Sequence, residues 1–433
     1  MASADRSLET SWFQEAPSVK MDIVETVALE QPADNLDLGS DTISWTVPAS
    51  ASMVTNPNMT LVFKLRLKLR DRPATADTDG RVALPCLAPA TLFKTLVVKL
   101  NEQTVIYTNA FYLEQYLKTR LLSSDAQKAY AKETLFYMPD AAGAIHDTTA
   151  AENSGFEARY NLTANNAVIQ LLMPVELPFL RGVGFLPWGT RITVMLTNAP
   201  DKLRLHADAD GALREPGVEF QDARLLVYRH LLREQLRLSL HNALSSVGAA
   251  NFYFTRMETR GPIGLPTTER AFEVEKTSDI NGDYRRNAFC SLPANVTKLV
   301  VQHESQFWPK SSVEREYQFG LVGVRGQRCL APYNRLLNSL GFKNRFDAFL
   351  GDFSMTHYTE DVCVFGGTLA LDDLPASDDS FVEDVRVGRL SVHLELSAAL
   401  TTQHSLWAIG FFSDRVSMSS QYVYSTSYVP GSF

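Results

Sequence analysis

The chain has 433 residues, of which 45% are hydrophobic and 21% charged, a globular composition that excludes an intrinsically disordered chain. Lys and Arg total 41 against 49 Asp and Glu, and the formal charge of −8 argues against wholesale electrostatic binding of nucleic acid. A chain of this length ordinarily divides into about two or three domains, each able to bury a core.

Residues 1–38 are polar and weakly periodic and read as an N-terminal arm. The opening residues lack the apolar run of a signal peptide, and no stretch of about 18 apolar residues suggests a membrane-spanning helix. Without a secretory route, the sequons at Asn58, Asn161 and Asn295 are expected to stay unmodified.

Beyond the arm the pattern is mostly β. In Leu61–Arg70, Leu61, Phe63, Leu65, Leu67 and Leu69 point one way and Lys64, Arg66, Lys68 and Arg70 the other. Period two predicts a strand with one buried and one basic face. The basic face could touch phosphates, but a sheet side matched by carboxylates elsewhere is the favoured reading. Residues 96–107 read as a hairpin with Asn101-Glu102-Gln103 at its tip. Two helices interrupt the β pattern. In the first, Phe111–Leu121, residues Leu113, Tyr116, Leu117 and Leu121 share a face. In the second, Ser124 and Gln127 fit a capping box and the helix runs to about Leu135.

Strand patterns resume at 167–173, 190–197 and 223–228, and Arg233–Ser246 is a polar, partly helical connector. A second β-rich half contains 251–258, 296–303, 317–324, 368–371 and 389–397, with 405–413 and 416–424 closing the chain. Tyr333–Leu340 is a short helix stopped by Gly341. The halves share a layout, so the fold class is all-β, with antiparallel sandwiches and short helical insertions. The divisions are 1–38, 39–232, 233–420 and a C-terminal tail, 421–433.

No catalytic constellation emerges. The eight histidines form neither HxH nor HExxH, and there is no GxSxG elbow or P-loop. Gly182 and Gly184, and Gly320, Gly323 and Gly326, read as turn glycines. Cys86, Cys290, Cys329 and Cys363 are widely spaced and read as free thiols of a reducing compartment. The acidic run from Asp372 to Asp384 could hold a cation but lacks EF-hand spacing, and reads as a solvated loop. No metal site, cofactor or enzymatic activity is therefore expected.

Several segments resemble the double jelly-roll major capsid proteins, most of all those of Polinton/Maverick elements and adintoviruses, within the lineage of the adenovirus hexon and the nucleocytoplasmic large DNA viruses. They are Leu96–Tyr107 with Tyr112–Leu122 and Leu135–Tyr137; Phe185–Leu196; Glu219–Tyr228; Pro332–Gly341; Gly367–Asp373; and Val387–Leu396 followed by Leu406–Phe412. Their order and spacing span roughly residues 40–420. Leu371–Leu374 is shifted against the family pattern, and Val423–Phe433 has no counterpart.

The resemblance implies two consecutive eight-stranded jelly rolls. It implies a structural protein whose homotrimers form pseudo-hexameric capsomers in an icosahedral virion capsid. Penton and minor capsid proteins would be partners, with no direct nucleic-acid contact and synthesis in the host cytoplasm. The helix bearing Tyr112, Leu113, Tyr116, Leu117 and Leu121 would pack on its own sandwich or at a subunit interface. The alternative reading is a carbohydrate-binding or carbohydrate-cleaving β-sandwich, suggested by the jelly-roll pattern and the acidic loop.

Overall fold

A computed structural model describes residues 23–35, 41–69, 72–73, 80–122, 128, 131–132, 134–141, 144–149, 151–180, 185–265, 271–273, 296–303, 306–308, 330–339, 358, 364, 390–396 and 404–427. Strands in the first half are β1 (Ile23–Pro32), β2 (Thr42–Val47), β3 (Met53–Thr55), β4 (Met59–Leu69), β5 (Arg72–Pro73), β6 (Val82–Ala83), β7 (Phe93–Leu100), β8 (Gln103–Thr108), β9 (Ile169–Val175), β10 (Ile192–Asn198), β11 (His206–Ala207) and β12 (Gly217–Leu232). The second half carries β13 (Ala249–Leu265), β14 (Ala271–Glu273), β15 (Val296–His303), β16 (Gln306–Trp308), β17 (Leu390–Leu396), β18 (His404–Ser419) and β19 (Tyr424–Thr426). The longer helices are α1 (Phe111–Leu122), α2 (Ser154–Thr163), α3 (Glu234–Val247) and α4 (Leu330–Ser339).

The first half is a jelly roll. One sheet runs β1-β12-β4-β9, with β3 added to β12 and β5 to β4, and the other runs β2-β10-β7-β8. The main strands alternate between sheets in the two-Greek-key order that defines this architecture. The second half repeats it: β13 pairs β18 as β1 pairs β12, and β14-β17-β15-β16 reproduces β2-β10-β7-β8. Two consecutive antiparallel jelly rolls are thus written into the pairing itself.

Alternation explains the first core. Met59, Leu61, Phe63, Leu65, Leu67 and Leu69 of β4 are buried, and face Ile43, Trp45 and Val47 of β2 and Ile192, Val194 and Leu196 of β10 from the opposite sheet. Trp45 meets Phe63 edge-on at 6.0 Å between centroids, and Phe63 meets Phe93 at 5.2 Å. The Trp45 indole N–H donates to the Ala223 carbonyl of the facing sheet at 3.3 Å, satisfying the buried polar end of an otherwise apolar anchor. Each such large side chain contributes roughly 1.5–3 kcal/mol by leaving water.

The outward face of β4 is matched by carboxylates as expected: Glu219 of β12 accepts from Arg66 Nε at 3.1 Å and from its terminal nitrogen at 3.2 Å. Lys64 stands opposite Asp222 in register. Arg70 lies outside the described residues.

Four expectations are corrected. Residues 23–32 are no arm: they form β1, the first strand of the first roll, paired along its length with β12. As an edge strand with much of its surface in water, it lacks the apolar alternation that marks inner strands. The hairpin tip has two residues, not three. Asn101 and Glu102 take φ of 46° and 68°, the left-handed pair of a tight hairpin turn, while Gln103 already pairs with Leu100. Residues 404–419 form one strand, because β18 continues its pairing with β13 through Asp414 and Arg415, whose polarity resembles a break. Finally, residues 424–426 of the C-terminal tail are β19, paired to β18.

The connector is the helix α3, as its polarity suggested. The capping residues Ser124 and Gln127, the strands expected at 317–324 and 368–371, the stop at Gly341, the glycines Gly182, Gly184, Gly320, Gly323 and Gly326, and the acidic run 372–384 lie outside the described residues.

Candidate functional site

The long excursion between β8 and β9 carries the helix singled out from sequence. In α1, Glu114 lies in the first turn and Arg120 in the last, each on the side of the helix dipole that favours its charge. Tyr112 and Tyr116 are buried in the first core, while Leu113 and Leu117 are half-buried against it. The Leu121 side chain lies outside the described residues. Arg120, itself buried, donates to the Tyr116 hydroxyl one turn back at 2.6 Å.

The rest of the excursion is tied down by a buried polar knot. Asn153 caps α2, its side-chain oxygen accepting from the Phe156 amide at 3.1 Å. Its amide nitrogen donates to Asp140 at 2.8 Å. Asp140 also receives Arg159 at 2.6 Å, and Arg159 donates to the Leu84 carbonyl at 2.9 Å and to that of Met138. The Arg159 and Asp140 side chains are 0% and 2% exposed, so this pair is stable only because its hydrogen-bonding capacity is filled.

A second group of residues joins the two rolls. Glu114 of α1, 4% exposed, accepts from the Thr259 hydroxyl of β13 at 2.6 Å. Phe179 packs against Phe252 and Phe254 of β13, with centroids 6.3 and 5.9 Å away. The Asn101 amide donates to the Tyr422 carbonyl at 2.8 Å, while its oxygen accepts from the Arg191 amide at 2.7 Å. The Tyr422 ring lies edge-on to Trp188. Val416, Met418 and Tyr424 belong to the same continuous core as the first roll.

Burial shifts several titratable groups here toward their neutral forms. Burial pushes the Cys86 thiol and the Tyr112 and Tyr116 phenols up to about 12, which leaves no thiolate or phenolate nucleophile at neutral pH. Burial likewise pushes Glu114 up to about 7. Burial lowers His206 to about 4, so it stays neutral beside Phe156. Among the described residues, no three His, Cys, Asp or Glu side chains cluster as a metal site would need. The arrangement is suited to holding surfaces together.

Sequence reasoning missed the joint. Glu114 had a usable signal: it sits on the helical face of Phe111 and Leu117, where a carboxylate is out of place unless something receives it. Thr259 and Tyr424 gave no such signal, because their partners are far away in the chain.

No family model and no curated protein matches the sequence. Solved structures do match over nearly the whole chain. A protein in the Sputnik virophage structure superposes with a TM-score of 0.61 at 12% identity, covering 96% of this chain and 90% of that one. A protein of the PBCV-1 virus capsid gives 0.54 at 10% identity over 96% and 100%. The mavirus major capsid protein gives 0.50 at 10% identity over 99% and 96%. At these identities the likeness is one of fold, and the class it defines is the double jelly roll. This chain has the double jelly-roll fold found in virophage and PBCV-1 capsid structures, with both rolls present and in the same order.

Proposed function

We propose that this chain is a major capsid protein, a structural subunit without catalytic activity. The observation that carries the reading is the end-to-end match of both rolls to capsid structures. The first roll runs from β1 to residue 232, the second from 233 to about 420, and Tyr422 and Tyr424 clasp the two together.

The subunit assembles as a homotrimer. Two similar rolls in each of three copies give six comparable corners, a pseudo-hexameric outline that tiles an icosahedral shell. Penton and minor capsid proteins complete that shell, and the virion capsid is the protein's destination after synthesis in the host cytoplasm. The charge of −8 supports a shell that leaves genome contact to other proteins. No helix among the described residues is long and apolar enough to cross a membrane, and no spanning segment is proposed. The helix α1 acts by packing on its own sandwich through Tyr112, Tyr116, Leu113 and Leu117. The carbohydrate reading rests on the jelly-roll pattern and on an acidic loop outside the described residues, and no observation favours it.

Solution mass measurement tests the assembly. A species three times the 48.2 kDa monomer is expected at micromolar concentration, with hexagonal particles in electron micrographs. A strictly monomeric protein would overturn it.

A further inference from the structure

We propose that the burial of Glu114 against Thr259 makes the joint between the two jelly rolls protonation-sensitive: ionisation of Glu114 loosens the joint, because the cost of burying its charge outweighs the hydrogen bond that Thr259 donates to it. This sensitivity is a property of the folded chain and does not depend on the shell reading.

Glu114 belongs to α1, an insertion of the first roll, and Thr259 to β13, the opening strand of the second; 145 residues separate them. Both are buried, at 4% and 2% exposed, and their side chains meet at 2.6 Å. A carboxyl group placed here has little water to stabilise a charge.

Its surroundings do little to offset that cost. From β13, Glu258 adjoins Thr259 and repels a carboxylate. From β8, Thr108 offers a second hydroxyl but no charge. On α1 itself, Lys118 acts on Glu114 from the next turn, and its ammonium is drawn outward to Glu176. Burial and Glu258 therefore outweigh Lys118 and the two hydroxyls, and Glu114 titrates near neutrality, at about 7.

Linkage sets the sign. The folded protein holds this proton up to about pH 7, whereas the unfolded chain releases it near 4.5. Between those values the folded state binds more protons, so this contribution to stability is fully present below about pH 4.5. It falls as pH rises and is gone above about 7. The whole effect is on the order of a hundredfold in the folding equilibrium constant.

The test uses the full chain, comparing the natural protein with Glu114→Gln, a neutral isostere that keeps an acceptor for Thr259. Thermal midpoints are recorded from pH 5 to 8.5, with hydrogen exchange followed in peptides covering 111–122 and 249–265. The natural protein should lose midpoint relative to Glu114→Gln as pH rises to about 7, with the gap level beyond that. After correction for intrinsic rates, exchange in both segments should accelerate between pH 6 and 8 in the natural protein but not in the variant. Parallel midpoint profiles, or exchange in these segments indifferent to pH, would overturn the proposal. If Glu114→Gln fails to fold, the exchange profile of the natural protein decides alone, with peptides covering 59–69 as the control that should not respond.

Discussion

The hydroxyls of Thr190 and Tyr424 lie 2.9 Å apart in the buried core, although 234 residues separate them in the chain. Thr190 leads into β10 of the first roll and Tyr424 opens β19 at the end of the second, so the last strand closes onto the first domain. Burial pushes the Tyr424 phenol up to about 12, keeping it a neutral hydrogen-bonding group.

Tyr424→Phe should lower stability by about 1–3 kcal/mol, because it leaves a buried hydroxyl on Thr190 without this partner. Adding Thr190→Val should cost less than the sum of the two single changes, since it removes the stranded group. Chemical denaturation of the four proteins measures the coupling.

The Arg159–Asp140 pair makes a larger prediction. Asp140→Asn leaves the buried guanidinium without its counter-charge and should cost roughly 3–5 kcal/mol. Replacing both partners with apolar residues of similar size, Arg159→Met with Asp140→Leu, should recover part of that loss despite the remaining buried amides. Soluble yield and thermal midpoint would show the order.

Within α1, Leu117→Asp places a charge on a half-buried face that packs against the first core. It should reduce soluble assembled protein by size-exclusion analysis. Tyr116→Ala should be worse, by about 3–5 kcal/mol, because it empties a buried site and removes an acceptor of Arg120.

Cys86 is fully buried and its thiol is pushed up to about 12, so in the native protein at pH 8 it should resist alkylation. Peptide mapping should show modification of Cys86 only after unfolding. Rapid labelling in the native state would mean that the packing around Leu84 and Ala88 opens readily.

The sequence by itself determined which faces of the inner strands are buried and where the longer inner strands lie. Leu61, Phe63, Leu65 and Leu67 alternate with polar residues, and side-chain period is a local property of a strand that needs no knowledge of its partner. The same holds for α1, whose apolar face is visible at helical spacing, and for the repeated layout of the two halves. Only the tertiary structure decided the pairings that span hundreds of residues. β1 joins the first roll because β12 receives its backbone groups, and Ile23–Pro32 shows little alternation because its outer surface faces water. Glu114 and Tyr424 obey the same logic. A polar side chain reads as exposed until a distant partner offsets its burial, and Thr259 and Thr190 become those partners only once the two rolls have packed together.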